Sequence, residues 1–335
     1  MRSDFTAAVT KCGDREWLSP TRAWRLTECA ASVGPVVNSS IAKTSDAPNA
    51  GTVAHRAVQL WIEADWYRDD DPRSRLTEAI ATALREFNGE PIGEWTSTRA
   101  RLLTRASQLA ERLRMGDRVI SEEELQDPDR ALRGTPDIVV VGQNQAVVID
   151  LKTPTTGDDL LPPWIIFQLT IYAYLVQRAY GVLPHEAAVF RLNRGFIPVT
   201  VSQSSVALAL DVVEQAREAD RSVATPGLET CRYCLRRFDC QAHWDAAACW
   251  SNSDCVEGTV EHVERSANGV TALRLQSADG SRWISGIPTE LAAVRAGEGI
   301  RLVRLQRSQT ADNRVEFKWS RHSALSVQRA TSTDI

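Results

Sequence analysis

The sequence predicts an α/β fold in which helices flank a mixed sheet, followed by a small all-β, OB-like barrel. Two β-branched runs, at 138–141 and 146–149, flank a polar turn, and this is the pattern of adjacent antiparallel strands joined by a tight loop. A strongly apolar helix is predicted at 164–180, next to that hairpin. After Cys255, short alternating segments separated by Gly- and Asn-containing turns are typical of a small barrel.

The length and net charge of the chain limit its possible functions. At 335 residues, the chain can form one large domain and one small domain, which we place at 1–250 and 251–328, with a polar tail at 329–335. The formal net charge of −4 gives no overall attraction to nucleic acid, so any DNA contact needs a local basic surface. No apolar run approaches the roughly 20 residues of a membrane span, and the N-terminus lacks the apolar core of a signal peptide. We therefore expect a cytoplasmic protein without membrane contact.

The first predicted elements are helices. Ser19 can cap a helix that has Pro20 in its first turn and leads to Cys29. A second helix, at about 51–66, carries His55, one of five histidines. A structural or solvated role is the usual one for a single histidine on a helix, so the pattern alone assigns His55 no function.

Three charged residues lie at the ends of the central hairpin. Asp137 precedes its first strand, and Asp150 and Lys152 lie two apart at the end of its second, so their side chains share a face. This arrangement can bring two carboxylates and an ammonium group to one point. Carboxylates hold Mg²⁺ or Mn²⁺, and a nearby lysine can orient an attacking water or neutralise charge on a phosphate. Solvated charges at strand ends are the alternative interpretation.

The helix after the hairpin carries one unusual polar residue. Gln168 and Tyr172 are one turn apart and project together. A buried tyrosine is expected where a helix packs on a sheet, but a buried amide without a hydrogen-bond partner is costly. Gln168 is therefore expected to have a specific polar partner. A second hairpin, at 187–201, would complete the mixed sheet.

Clustered cysteines predict a metal site. Seven cysteines in a reducing compartment favour metal binding over disulfides, and the spacing Cys231-x2-Cys234-x5-Cys240 supplies three thiolates from one segment. Soft thiolates suit a [4Fe-4S] cluster and also zinc. Cys249 or Cys255 could supply the fourth ligand.

The predicted barrel combines basic and aromatic residues. Its fourth and fifth strands contain Arg301, Arg304 and Trp319, which we predict to bind DNA. Such a combination suits single strands, because bases stack on aromatic rings while phosphates pair with cations. A protein-docking or packing module is the alternative.

The order of these features resembles the PD-(D/E)XK nucleases, and within them the RecB-like exonucleases that include CRISPR-associated and AddB-type members. The resemblance covers most of the first 245 residues. It implies a restriction-endonuclease-like core. The motifs that carry it are Gly134-x-x-Asp137, Asp150-x-Lys152, Gln168-x-x-x-Tyr172 and the cysteine run.

The resemblance also implies residue roles. It implies that one or two Mg²⁺ or Mn²⁺ ions are held by four groups: His55, Asp137, Asp150 and the Leu151 carbonyl. Lys152 would position the attacking water, and Gln168 with Tyr172 would support the site and contact DNA. Family members often carry a further glutamate on the preceding strand, for which Glu122 and Glu124 both remain candidates. In iron-sulfur members a distant N-terminal cysteine, here Cys29, completes a [4Fe-4S] cluster with Cys231, Cys234 and Cys240, and we expect a structural role for it.

The expected function is that of a metal-dependent DNA nuclease, and specifically an exonuclease on single-stranded DNA or DNA ends. The sequence contains no G-x-x-x-x-G-K-[ST] phosphate loop, so helicase activity would have to come from a separate protein partner. A non-cleaving DNA-binding or adaptor subunit of a repair, recombination or defence complex is the first alternative. A zinc-stapled interaction protein is the second.

Overall fold

The chain folds into two compact units. A computed structural model describes residues 11–12, 15–34, 49–88, 91, 94–143, 145–153, 160–232, 234–309, 315–320 and 322–328. Unit 1 takes its described residues from 1–27 and 47–219, and unit 2 takes its own from 28–46 and 220–335. The predicted tail at 329–335 lies outside the described residues. The predicted domain boundary after residue 250 stays a prediction.

The described helices precede, interrupt and follow the strands of unit 1. No described helix combines the length and apolar character that crossing a membrane requires. The helices are α1 (Pro20–Glu28), α2 (Ala50–Glu63), α3 (Pro72–Glu86), α4 (Trp95–Thr104), α5 (Ala106–Leu113), α6 (Pro163–Tyr180), α7 (Gln203–Glu218), α8 (Leu228–Arg232) and α9 (Gln241–Ala247).

The described strands fall into four sheets. They are β1 (Lys11–Cys12), β2 (Arg15–Glu16), β3 (Arg118–Ser121), β4 (Leu125–Asp127), β5 (Leu132–Gly134), β6 (Ile138–Val141), β7 (Ala146–Lys152), β8 (Glu186–Arg191), β9 (Gly195–Thr200), β10 (Val256–Arg265), β11 (Val270–Ser277), β12 (Gly280–Pro288), β13 (Gly299–Val303), β14 (Gln306–Gln309), β15 (Val315–Lys318) and β16 (Ala324–Gln328).

Unit 1 is built on a five-stranded sheet in the order β3-β6-β7-β8-β9. β7 and β8 are parallel, whereas the other neighbours are antiparallel. Ile138, Ile149 and Leu151 share one core with apolar residues of α2 to α5. Because successive side chains on a strand point to opposite faces, Asp150 and Lys152 lie on the other face of β7. The predicted mixed α/β fold is confirmed.

Helix α2 positions His55 at the margin of that core. Its N-terminus is capped by Asn49, whose Oδ1 accepts the Thr52 backbone N–H at 2.9 Å. Val53, Ala57 and Trp61 are buried, as the helical spacing of apolar residues requires. His55 is only half-buried, so its imidazole can reach polar groups beyond the core.

Unit 2 contains one seven-stranded sheet in the order β14-β15-β12-β11-β10-β13-β16. β12 and β15 are parallel, and the other neighbouring pairs are antiparallel. The five predicted segments correspond to β10, β11, β12, β13 and β15. The predicted OB-like barrel is not confirmed, since β14 and β16 lie at opposite ends of this strand order in the described chain.

Candidate active site and cysteine cavity

The charged residues of the central hairpin meet where β6 begins and β7 ends. β6 and β7 are antiparallel, with Ile138 opposite Ile149. Asp150 to Lys152 therefore extend past the start of β6, next to Asp137. The N–H and C=O of one strand residue point toward the same neighbouring strand. Both groups of Leu151 therefore point to the β6 side of β7, where β6 has not yet begun. The Leu151 N–H donates to Asp137 Oδ2 at 2.6 Å.

Asp137 also contacts the histidine of α2. The Nδ1 atom of His55 lies 3.2 Å from Asp137 Oδ1 and 3.7 Å from Glu122 Oε1. Burial, the largest single effect, opposes the charged imidazolium, but hydrogen bonds and charges of Asp137 and then Glu122 prevail and raise the pKa of His55 to about 10. A cation that binds the imidazole has to displace this proton.

Glu122 reaches the site through an unusual backbone conformation. β3 ends at Ser121, and Glu122 has φ of +53°, in the left-handed region that few residues other than glycine adopt. The Glu122 N–H donates to the Asp137 carbonyl at 3.2 Å, and Ser121 Oγ donates to the same oxygen at 3.0 Å. These bonds hold the strained residue, and its carboxylate faces His55. Glu124, the other candidate, is exposed and accepts a hydrogen bond from Gln126.

His55, Glu122 and Asp137 form a group that fits a divalent cation. One ligand atom from each residue lies within 4.8 Å of the other two. Two carboxylate oxygens and one imidazole nitrogen suit Mn²⁺, and the carboxylates suit Mg²⁺. Among the described residues this is the only such trio of histidine, cysteine or acidic side chains. The structure thus brings together the predicted His55 and Asp137 with the family-suggested Glu122.

Asp150 lies beside this group and is held by Lys152. Asp150 is 3 % exposed, and Lys152 Nζ lies 2.8 Å from Oδ2 and 3.0 Å from Oδ1. Burial raises the pKa of Asp150 to about 6, against the lowering effect of the Lys152 ammonium. Asp150 is not one of the three ligands within 4.8 Å of one another, so metal binding by Asp150 and by the Leu151 carbonyl stays a prediction.

Gln168 and Tyr172 of α6 pair with each other, and Tyr172 faces the site. Gln168 is half-buried, and its Nε2 lies 3.3 Å from the Tyr172 hydroxyl, which supplies the expected polar partner. Burial raises the pKa of Tyr172, and the charges of Asp150, Asp137 and Glu122 add to that effect. Gly134 allows the Tyr172 ring to lie close to the backbone, because a Cβ at this position would be 2.8 Å from Tyr172 Cε1. Their catalytic roles stay predictions.

The four predicted cluster ligands line one cavity of unit 2. This cavity of about 340 Å³ is bordered by Cys29, Cys231, Cys234 and Cys240. Cys29 is held there by the Thr225 N–H, which donates to its Sγ at 3.4 Å. Burial raises the pKa of Cys231 to about 11, and the three neighbouring thiols add to the effect. Cys249 is exposed and neither it nor Cys255 lines this cavity, so the geometry favours Cys29 as the fourth thiol.

The cavity fits a group larger than one ion. Tetrahedral zinc with Zn–S bonds of about 2.3 Å holds its sulfur atoms roughly 3.8 Å apart. No three of the described cysteine sulfur atoms lie within 4.8 Å of one another. Two residues that line the cavity each have a buried nitrogen without a hydrogen-bond partner among the described residues: Arg237 Nη2, which is a donor, and His243 Nδ1. The unpaired guanidinium nitrogen favours an anionic occupant, and a cluster with four thiolate ligands is anionic.

The three predicted DNA contacts lie in different environments. Arg301 is 8 % exposed and donates to Glu257 Oε1 at 2.6 Å and to Gln241 Oε1 at 3.2 Å. Trp319 is 7 % exposed. Arg304 is half-buried, and its carbonyl accepts hydrogen bonds from two serine hydroxyls. The structure therefore places Arg301 and Trp319 in the interior of unit 2, and DNA binding by these residues stays a prediction.

Comparison with known proteins matches most of the chain to one family model. The model of the PD-(D/E)XK nuclease superfamily matches residues 18–241, more than half of the chain, and this range contains the carboxylate group, Lys152 and the four cavity cysteines. No curated protein matches the chain.

Three solved structures show weak likeness. The structure of tetrameric p202 HIN2 is 22 % identical, with 23 % of this chain and 42 % of that chain covered and a TM-score of 0.20, so this chain spans less than half of that one. The structure of SSO0001 is 13 % identical over 60 % of this chain and 89 % of that chain, with a TM-score of 0.27. The structure of a murine DNA binding protein bound with double-stranded DNA is 12 % identical over 64 % and 95 %, with a TM-score of 0.21. TM-scores this low support no conclusion about the fold or function of this chain.

Proposed function

The chain belongs to the PD-(D/E)XK nuclease superfamily, and from that premise we propose that it is a Mg²⁺- or Mn²⁺-dependent deoxyribonuclease of the RecB-like branch. We propose that it acts as an exonuclease on single-stranded DNA or DNA ends and leaves a 5′-phosphate and a 3′-hydroxyl. The observation that carries the proposal is the convergence of His55, Glu122 and Asp137 within 4.8 Å, next to the Asp150–Lys152 pair.

The proposed mechanism assigns a task to each of these groups. His55, Glu122 and Asp137 would hold the cation, and Asp150 and the Leu151 carbonyl would complete its ligands. A bound divalent cation supplies Lewis-acid stabilisation of charge on the phosphate and makes water a better nucleophile. The Lys152 ammonium, whose charge is fixed beside Asp150, orients the attacking water and offsets negative charge on the phosphate. Tyr172 and Gln168, which are joined by a hydrogen bond on α6, support these residues and contact DNA.

We further propose that Cys29, Cys231, Cys234 and Cys240 hold a [4Fe-4S] cluster of structural function. Four thiols around a 340 Å³ cavity, with the unpaired guanidinium nitrogen of Arg237, support an anionic cluster over a single zinc ion. Unit 2 would then be stabilised by the cluster, and a separate protein partner would supply any helicase activity.

The direct test of the nuclease is a divalent-metal assay. Single-stranded and duplex DNA labelled at either the 5′ or the 3′ end is incubated with Mg²⁺ or Mn²⁺, and the label released first gives the polarity of cleavage. Metal-dependent products are expected from the wild-type protein and not from Lys152→Ala purified in parallel, which also controls for contaminating nuclease. Retention of labelled DNA without product under either metal would instead identify a non-cleaving DNA-binding or adaptor subunit.

A further inference from the structure

Trp164 is an exposed aromatic residue beside the candidate active site. It lies in the first turn of α6, and its side chain is 41 % exposed, which is unusual for tryptophan. Lys152 Nζ lies 6.0 Å from the centroid of its ring. The ammonium to which the mechanism assigns a phosphate thus lies over one face of the indole, while much of the ring remains open to solvent.

Trp164 also begins a row of side chains that leads into the site. Trp164, Gln168 and Tyr172 are spaced by four residues along α6, so they lie on one face of the helix. Exposure falls along the row, from the exposed Trp164 through the half-buried Gln168 to Tyr172 at 8 %. The Tyr172 ring lies against Gly134, three residues before Asp137, where an added Cβ would be 2.8 Å from Tyr172 Cε1. The row therefore extends from solvent to the reacting end of the site.

The chemistry of this row suits one nucleotide of an unpaired strand. A base is flat and apolar on its faces and stacks on an exposed aromatic ring, whereas its phosphate needs a cation. The indole and the Lys152 ammonium offer both groups side by side. A duplex hides its base faces by stacking, and exposing one requires unpairing and unstacking.

We propose that Trp164 is the stacking platform for the base adjoining the phosphate that Lys152 contacts, and that it makes the site prefer single-stranded over duplex DNA. This inference rests on the proposed function, because it takes a nucleic acid as the substrate. Trp164 acts as a specificity-determining residue and takes no part in bond cleavage.

The test compares three variants with the wild-type protein. Trp164→Ala removes the ring, and Trp164→Phe keeps an aromatic face. Ile166→Ala is the matched control, because Ile166 is 42 % exposed on the same turn but points away from the row. The dissociation constant for a fluorescein-labelled oligonucleotide, single-stranded or in a duplex, is measured by anisotropy. Steady-state kcat and KM are measured on both forms with Mn²⁺.

Trp164→Ala is expected to raise the dissociation constant and KM for single strands about tenfold, with kcat changed less than about twofold. Trp164→Phe should recover most of the affinity, and Ile166→Ala should match the wild type. Equal losses on single-stranded and duplex DNA, or an unchanged dissociation constant in Trp164→Ala, would overturn the inference. Absence of cleavage by the wild-type protein would refute the proposed nuclease, while the binding measurement would still decide the role of Trp164.

Discussion

The candidate cation site of unit 1, formed by His55, Glu122 and Asp137, and the cysteine cavity of unit 2 differ in how their side chains are placed. His55 is fixed by a helix, Glu122 by a hydrogen bond to the Asp137 carbonyl, and Asp137 by the open edge of β7, and their ligand atoms lie within 4.8 Å of one another. The cavity thiols come from helix ends and connecting segments, and no three of the described sulfur atoms are that close. The first site is organised by the fold, whereas the second has room for a group that would organise it.

This difference predicts two kinds of response to mutation. In a site organised by the fold, replacing one ligand weakens metal binding or catalysis but leaves the other groups in place. In a site organised by its occupant, losing one ligand loses the occupant and the stability that it supplies. Changes to the carboxylate group should therefore leave the fold intact, and changes to the cavity thiols should not leave unit 2 intact.

The largest effect is expected from Asp150→Asn. This change keeps the side-chain volume but removes the charge that Lys152 Nζ contacts at 2.8 Å. Cleavage of single-stranded DNA with Mn²⁺ should fall by at least about a hundredfold, because charge that is fixed for the reaction is lost. Asp129→Asn is the matched control, since that exposed carboxylate pairs with Arg178. Residual activity within about tenfold of the wild type would remove Asp150 from the mechanism.

A nearly complete loss of cofactor is expected from Cys29→Ser. Its Sγ borders the cavity of unit 2, and a hydroxyl is a poor ligand for iron in a sulfur site. Protein purified without oxygen should lose most of its iron and visible absorbance, and the melting temperature of unit 2 should fall.

Cys249→Ser controls for the loss of any cysteine, because Cys249 is exposed and lies outside the cavity. It should keep wild-type iron content. If Cys249→Ser lost the iron and Cys29→Ser kept it, the assignment of the fourth ligand would be reversed. If the wild-type protein contained one zinc ion and no iron, the cavity would be a zinc site and not a cluster site.

A smaller effect is expected from Glu122→Gln, which tests how far the fold itself organises the carboxylate group. The concentration of Mn²⁺ that gives half-maximal cleavage should rise roughly tenfold, because one of three close ligand atoms becomes neutral. Its circular-dichroism spectrum and melting temperature should stay near those of the wild type. Glu124→Gln should leave the metal requirement unchanged. If Glu124→Gln raised the Mn²⁺ requirement and Glu122→Gln did not, Glu122 would not be the ligand.

Much of the carboxylate site could be predicted because it follows from the periods of regular structure. Alternation along β7 places Asp150 and Lys152 on one face, and the helical repeat places Gln168 beside Tyr172. The choice between Glu122 and Glu124 could not be predicted. In a regular strand the two share a face, but β3 ends at Ser121 and the positive φ of Glu122 redirects its side chain.

The sequence was less informative about unit 2, where tertiary contacts decide. The spacing of Cys231, Cys234 and Cys240 is local, but the place of Cys29 depends on the path of a distant segment. Likewise, the combination of basic and aromatic residues gave no sign that Arg301 pairs with Glu257 and is buried. A pattern in one strand does not reveal the partners that other elements bring to it.

The smallest effect concerns the packing that holds α6 beside the carboxylates. In Gly134→Ala the new Cβ would lie 2.8 Å from Tyr172 Cε1 and 3.0 Å from Pro20 Cδ, so both rings must shift. Such overpacking should lower the free energy of unfolding by about 1–3 kcal/mol, measured by urea denaturation. Gly142→Ala is the control, because its Cβ would meet the flexible side chain of Gln145 at 3.2 Å. Equal stability of the two variants would mean that α6 can move away at no cost, and that Tyr172 is not held against the site by close packing.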